Sequence, residues 1–456
     1  MKKRYSYILV LITLIAAAGC KKDFLDAKPQ ATQVVPSTVA DLQALLDNPV
    51  AINIDQPTEG ELSSDDYYLT PDNYNQITPL EQFSYTWATD VFNGSPSVGD
   101  WDIPYQNLLL INLALEGAVK IGSTPANATA LNNVIGSAHF YRGWEFYLLA
   151  QTFSKQYDSA TAATDLGIPL KMSADVNDKV GRSSVQQTYD QILSDIKTSL
   201  PLLPSTPANN KAFRPSQAAA YGLLARIYLS LGDYTNCLAN ADSCLAINSS
   251  LLSYSQLDSS QTYPMPYPNS EIIFDYTLIT YYGLNYLSYT DSTLYNGYAA
   301  NDLRKPLYFN PYDGTGYSFR GWYYNQPTCQ GGLCTDEMIL TKAECEARLG
   351  ETNMAMNDLN NLLQTRWAAN TYVPYTASNS LDALTIILNE RRKELAFRGT
   401  RWIDLRRLNR DTRFALTLTR NMNNQVYTLP PNDPRYVFPI PQDEILYNPT
   451  MPQNTR

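Results

Sequence analysis

The sequence predicts an all-α protein, a superhelix of paired helices that carries a large irregular region of aromatic loops. Three observations predict it. Ser216–Asn248 reads as two short helices that follow most of the 34-residue tetratricopeptide (TPR) pattern. Apolar residues recur at helical spacing over much of the remaining chain. Fourteen of the 34 tyrosines crowd into 263–324, where Gly, Pro and Asn interrupt any period.

In chain order, Lys2, Lys3 and Arg4 precede an apolar run, Ile8–Ala18, that is too short to span a bilayer. Ala17-Ala18-Gly19-Cys20 then reads as a bacterial lipobox, with Ala17 where Leu is more usual. The expectation is a signal peptide over 1–19, a lipid on Cys20 and a tether over 20–38. A plain secretory signal that ends near a cysteine is the alternative. Residues 39–456 are expected to form one helical domain, with the loop insertion at about 250–335.

Val39–Leu46 carries a short helical pattern. From Glu59 to Asp100 the period dissolves, and Asp65, Asp66, Tyr67, Tyr68 and Trp87 sit among turn-forming residues. Helical spacing returns over Trp101–Val119 and Ala128–Phe153, and again over Ser183–Leu203. In Ser216–Asn248, Gly232 permits the turn and Asp233 can cap the second helix. Cys237, Ala241 and Cys244 supply the small residues that a close helix crossing needs. Cys237 and Cys244 lie two turns apart on one helix, about 10 Å along the axis, too far to bridge each other. Both are therefore expected to be buried thiols.

The tyrosine-rich segment follows, with one strand-like run at Glu271–Thr280. Cys329 and Cys334 could close a small loop in an oxidising location, leaving Cys345 odd. Their spacing alone argues for no metal. Helices resume at Thr335–Leu349, Asn353–Trp367 and Leu381–Phe397. Between Glu390 and Arg413 stand nine Arg or Lys and four Asp or Glu. Their alternation at helical contact spacing favours a structural ion network over an anion site. The tail around Val437–Ile445 is Pro-stiffened and reads as extended.

Composition narrows the function. The formal charge of −10 becomes −13 once Lys2, Lys3 and Arg4 are removed, a poor balance for binding nucleic acid. The single histidine, His139, argues against a His-based triad or a multi-histidine metal site. Its place on a helix marks it as a packing or capping residue. No cofactor is indicated.

Several stretches together resemble the SusD/RagB family of surface nutrient-binding lipoproteins. They are Cys20 with Asp23-Phe24-Leu25-Asp26 and Pro29; Arg182-Ser183-Ser184-Val185 before the Tyr189 helix; the TPR-like pair; Asn389–Phe397; Arg401-Trp402 with Asp404–Arg407; and Phe438-Pro439-Ile440-Pro441 through Gln453-Asn454. The chain departs from the family pattern at Arg398, where an acid is usual, and at Thr400, where His is common. The resemblance implies a SusD-like fold, no catalysis and an outer-membrane position facing the cell exterior. It also implies a partner, a SusC-like TonB-dependent transporter, to which a glycan or other nutrient oligomer such as a peptide is delivered.

The residues themselves offer ligand candidates: Asp65, Asp66, Tyr67, Tyr68, Trp87, Tyr281, Tyr282, Trp322, Tyr323 and Tyr324. Sugar rings stack their apolar C–H faces on aromatic planes, and carboxylates accept from hydroxyls. Each tyrosine could equally pack a loop onto the helical body. Two other functions compete, a helical glycoside hydrolase with a carboxylate pair and a TPR-type scaffold that binds only protein.

Overall fold

The computed structural model of the protein describes residues 36–95, 97–207 and 211–456. The expected signal peptide over 1–19, the expected lipidation site Cys20 and the expected tether up to residue 35 lie outside the described residues. Ten longer helices form the body: α1 (Val39–Leu46), α2 (Gly99–Ile121), α3 (Ala128–Phe153), α4 (Val185–Ser199), α5 (Gln217–Leu231), α6 (Tyr234–Ile247), α7 (Thr335–Leu349), α8 (Thr352–Gln364), α9 (Ser380–Glu394) and α10 (Arg401–Leu408). Successive helices pack as neighbours: α2 on α3, α3 on α4, α5 on α6, α6 on α7, and α7 on both α8 and α9. This is the TPR-like arrangement expected from Ser216–Asn248.

Local chemistry sets the helix ends. Thr38 with Asp41 and Ser184 with Gln187 form capping boxes at α1 and α4. The turn between α5 and α6 places Gly232 at φ +76°, a left-handed conformation that a side chain disfavours. Asp233 then accepts from Asn236 N and starts α6. Cys237, Ala241 and Cys244 are fully buried. The Cys237 sulfur meets Ala225 O at 3.2 Å, and burial pushes the Cys244 thiol up to about 12. Both thiols are free, as expected. Cys329 and Cys334 are free and buried too. They face different partners, Asn285 at 3.8 Å and Gln330 at 4.0 Å, so no small loop is closed between them.

The family-like stretches meet in space. Arg182 Nη1 donates to Asn454 Oδ1 at 2.8 Å, and Asn454 Nδ2 donates to Phe153 O and Phe438 O. Gln453 exchanges two 2.7 Å hydrogen bonds with the backbone of Ile440. The extended tail is thus stitched to the α3 end of the body. Its helix Gln442–Tyr447 has no counterpart in the sequence reading.

The loop region is more ordered than its composition predicts. Strand Ile272–Phe274 pairs with Leu333–Cys334 and draws the two ends of the insertion together. Phe309–Tyr312 and Gly316–Phe319 form a hairpin. Its turn holds Asp313 and Gly314 at positive φ, as a tight hairpin requires. Leu418–Met422 and Gln425–Leu429 form another, turned by Asn423-Asn424. Between 59 and 100, Pro71–Tyr74 and Pro79–Tyr85 are short helices capped by Thr70 and Thr78.

The basic block is a structural network, as its spacing suggests. Arg304 donates to Glu390 at 2.6 Å, Glu394 at 3.0 Å and Asp302 at 2.7 Å. Arg366 joins Glu394 at 2.7 Å and Glu271 at 2.8 Å. Arg391 and Arg407 share Asp404, and Arg407 also grips Glu344 with two bonds. Arg398 replaces the family's acid by lying over the Tyr323 ring at 4.2 Å and facing Asp336 at 3.5 Å. His139 pairs with Asp195 at 2.7 Å beside Arg142, a packing role.

Buried carboxyls make stability depend on pH. Glu145 has no exposed surface; burial pushes its carboxyl up to about 8, against weaker hydrogen bonds from Asn107 and Tyr276. Burial likewise raises Glu61, which the Asp66 charge reinforces. The folded chain therefore keeps protons that the unfolded chain releases above its ordinary carboxylate range. Stability from Glu145 is full below about pH 4.5 and is lost as pH rises to about 8, at roughly 1.4 kcal/mol per unit, and Glu61 acts in the same direction. The urea midpoint is expected to fall between pH 5 and pH 8, and Glu145→Gln to flatten that slope. An unchanged slope in the variant would show that Glu145 ionises normally.

Candidate functional site

Strand Tyr67–Tyr68 pairs antiparallel with Tyr289–Thr290, and this two-residue ladder carries the aromatic face. Tyr68 stacks on Tyr289 with ring centroids 5.1 Å apart and planes 18° apart. Tyr289 in turn meets Tyr312 of the neighbouring hairpin edge-on at 4.9 Å. Two clefts open beside the ladder.

The larger holds about 580 Å³ and is lined by Asp65, Tyr67, Tyr68, Trp87, Asp291, Arg392 and the Leu416–Asn421 segment. Arg401 grips Asp65 with bonds of 2.6 and 2.9 Å. Arg392 reaches Asp66 at 2.9 Å, Asp65 O at 2.8 Å and Asp291 at 3.4 Å. Burial raises the Asp65 carboxyl, but Arg401 and Arg392 outweigh it and hold the group well below the usual range. At Asp66 burial outweighs the same two arginines, and its carboxyl is raised. Two arginines thus already occupy the acids that the sequence offers as hydroxyl acceptors.

The smaller cleft, about 180 Å³, is lined by Tyr263, Asn285, Tyr286, Asn310, Ser318, Arg320 and Trp322 among others, with no carboxylate in its lining. Beside it Tyr282 and Tyr286 project from a single wide turn, 54% and 50% exposed, with rings 5.9 Å apart and 31° from parallel. That turn is pinned. Gly283 N donates to Glu81 at 2.6 Å, Tyr281 N donates to Asn285 Oδ1 at 3.0 Å, and Asn285 Nδ2 donates to Pro327 O at 3.0 Å. A Cβ at Gly283 would come within 2.8 Å of Ile77. The backbone that carries the two rings is therefore fixed before any ligand arrives, which lowers the ordering cost of binding.

The ten candidates divide by burial. Tyr68 and Tyr282 present open rings. Tyr281 is half-buried and reaches toward Glu59 at 3.5 Å. Five others are core residues. Tyr67 donates to Leu62 O at 2.7 Å and Trp87 Nε1 to Ser63 O at 2.9 Å. Trp322 packs edge-on against Phe319 and Phe397. Tyr323 reaches Glu271 and Asp336, both at 3.3 Å, and Tyr324 bonds Asp275. Rings so covered hold the loops on the body and offer no face for stacking, although Tyr67, Trp87 and Trp322 still border the clefts. Tyr286, Asn310, Arg320 and Arg420 escaped the sequence reading. The strand alternation of Leu418–Met422, which turns Arg420 inward, was the available signal for the last.

A helix-pair body that carries a face of pinned loops has the architecture of a TPR-like binding scaffold. Residues 23–229 match a SusD-like family described as starch-binding and associating with the outer membrane, and residues 335–456 match the SusD family; the chain belongs to the SusD/RagB family. Residues 230–334, which include the tyrosine-rich segment, lie outside both matched ranges. The fold is similar to that of a putative sugar-binding protein from Bacteroides vulgatus, at 21% identity and TM-score 0.75, over 92% of this chain and 99% of that one. A SusD superfamily protein from Bacteroides thetaiotaomicron gives 20% identity and TM-score 0.73, over 92% and 100%. A SusD-like carbohydrate-binding protein from Bacteroides vulgatus gives 18% identity and TM-score 0.71, over 91% and 98%. Comparison with curated proteins gives no match. Among the described residues, no helix is long and apolar enough to cross a membrane, and no cluster of three or more His, Cys, Asp or Glu could hold a metal.

Proposed function

We propose that the protein binds a nutrient glycan at the cell surface and delivers it to a TonB-dependent outer-membrane transporter, tethered by a lipid on Cys20. The observation that carries this reading is the pinned, exposed pair Tyr282 and Tyr286 beside a carboxylate-free cleft of amides and hydroxyls. Flat rings next to such groups match the alternating C–H faces and hydroxyls of a sugar chain. Membership of the SusD/RagB family and the likeness to sugar-binding folds support the same reading. The alternative of a glycoside hydrolase calls for two available carboxyl groups flanking one bond. In the larger cleft, Arg401 and Arg392 engage Asp65, while Asp291 caps the helix Ser292–Asn296 and meets Arg392, which favours binding without cleavage.

The test is a glycan and peptide array followed by calorimetry on the hits. Tyr282→Ala with Tyr286→Ala is expected to weaken glycan binding by about 1–3 kcal/mol per lost stacking ring, by analogy with bases stacked on aromatic side chains. The double variant should melt like the parent, since both rings are half in solvent. Undiminished affinity in the double variant would move the site away from this face.

A further inference from the structure

The larger cleft holds a cation without a counter-ion. Arg420 is only 6% exposed and lines that cleft. Its terminal nitrogens donate to Tyr85 O and Ser64 O. The guanidinium lies 3.7 Å from the Tyr85 ring centroid, 4.7 Å from that of Trp87 and 5.4 Å from that of Tyr67. Among the described residues, no carboxylate stands within ion-pair distance of Arg420, and its Nε makes no hydrogen bond. The other cations at this cleft are matched, Arg401 by Asp65 and Arg392 by Asp65, Asp66 and Asp291.

Two carbonyls and three rings stabilise a guanidinium, but they leave its full charge uncompensated in a desolvated setting. An incoming anion restores that balance. A carboxylate suits it best, because its planar oxygens match the planar fork of arginine. Tyr68, stacked on Tyr289 and 37% exposed, offers a ring face in the same cleft. We propose that this cleft selects acidic glycans, taking a uronate ring on Tyr68 with its carboxylate directed at Arg420. The inference rests on the glycan-binding reading and adds the class of sugar.

The experiment titrates the whole chain with galacturonan, glucuronan and alginate oligosaccharides, each paired with its fully methyl-esterified form, and with a neutral glycan array alongside. At least one free acid is expected to bind about tenfold or more tighter than its ester. That ratio is expected to shrink as NaCl rises from about 20 to about 500 mM. Arg420→Gln should bring acid and ester within about twofold of each other, and Arg420→Lys should restore part of the difference. Thermal melting checks that both variants fold, and the salt series on the unmodified chain stands if either does not. Esters or neutral glycans binding as tightly as the acids would overturn the selectivity and leave glycan binding intact. Binding to no glycan on either panel would overturn the glycan reading and this inference together. Sulfated oligosaccharides are titrated beside these panels, and one preferred over every uronate would overturn the carboxylate assignment.

Discussion

Glu394→Ala is expected to cost about 3–5 kcal/mol of stability, because it leaves buried positive charge without its partner. Glu394 bridges Arg304 at 3.0 Å and Arg366 at 2.7 Å, and none of the three side chains has exposed surface. Arg304 retains Asp302 and Glu390, whereas Arg366 retains only Glu271. Urea unfolding at constant pH measures the change as a shift in midpoint. Arg413→Ala serves as the contrast. Its pair with Asp411 lies at the surface, with the Arg413 side chain 53% exposed, where solvent screens both charges and the pair contributes little. Equal shifts in the two variants would show that water reaches Arg304 and Arg366.

Gly332→Ala is expected to cost about 3 kcal/mol or more, through overpacking that no rotamer change relieves. A Cβ there would overlap Phe274 O and stand 3.0 Å from the Phe274 carbonyl carbon and 3.1 Å from Tyr276 N. All three atoms are backbone, so the strand pairing of Ile272–Phe274 with Leu333–Cys334 must open. The Gly332 carbonyl is also fixed, since Arg226 donates to it at 2.6 Å while pairing with Glu337. Gly314→Ala separates this clash from backbone strain. Gly314 has φ +79° with open space around its Cβ position, so only the left-handed cost of about 1–2 kcal/mol applies. A Gly332 variant no worse than the Gly314 variant would mean that the insertion is not held by that pairing.

Much of the helical body could be read from the sequence, because one buried face per helix leaves a 3.6-residue period. The TPR-like pair showed its turn glycine, its cap and its small residues at contact. Most strands were hidden for a physical reason: two to four residues carry too little alternation to detect, and only the five-residue strands Leu418–Met422 and Gln425–Leu429 are longer. Their turns were nevertheless written out, as Asp313-Gly314 and Asn423-Asn424. The site was half legible. Tyrosine enrichment pointed to the loops that carry the exposed rings Tyr282 and Tyr286, but composition does not say which ring faces out. Trp322 is covered by Phe397, which arrives from 75 positions further along and sits at φ +59°. Asp65 and Asp66 looked available until Arg392 and Arg401 closed on them from the far end of the chain.

The arginine clamp on Asp65 and Asp66 also fixes an order of events. Arg401 is 336 residues from Asp65, and Arg420 is 356 from Ser64. The wall of the larger cleft is therefore completed only when the C-terminal sixth of the chain has emerged. Until then Asp65 and Asp66 have no partners and stay hydrated, so the early loops have no reason to close. Contacts this distant in sequence carry the full entropy of loop closure and form late. The helix pairs can assemble from local contacts, while the wall of the larger cleft waits for the last helices to dock.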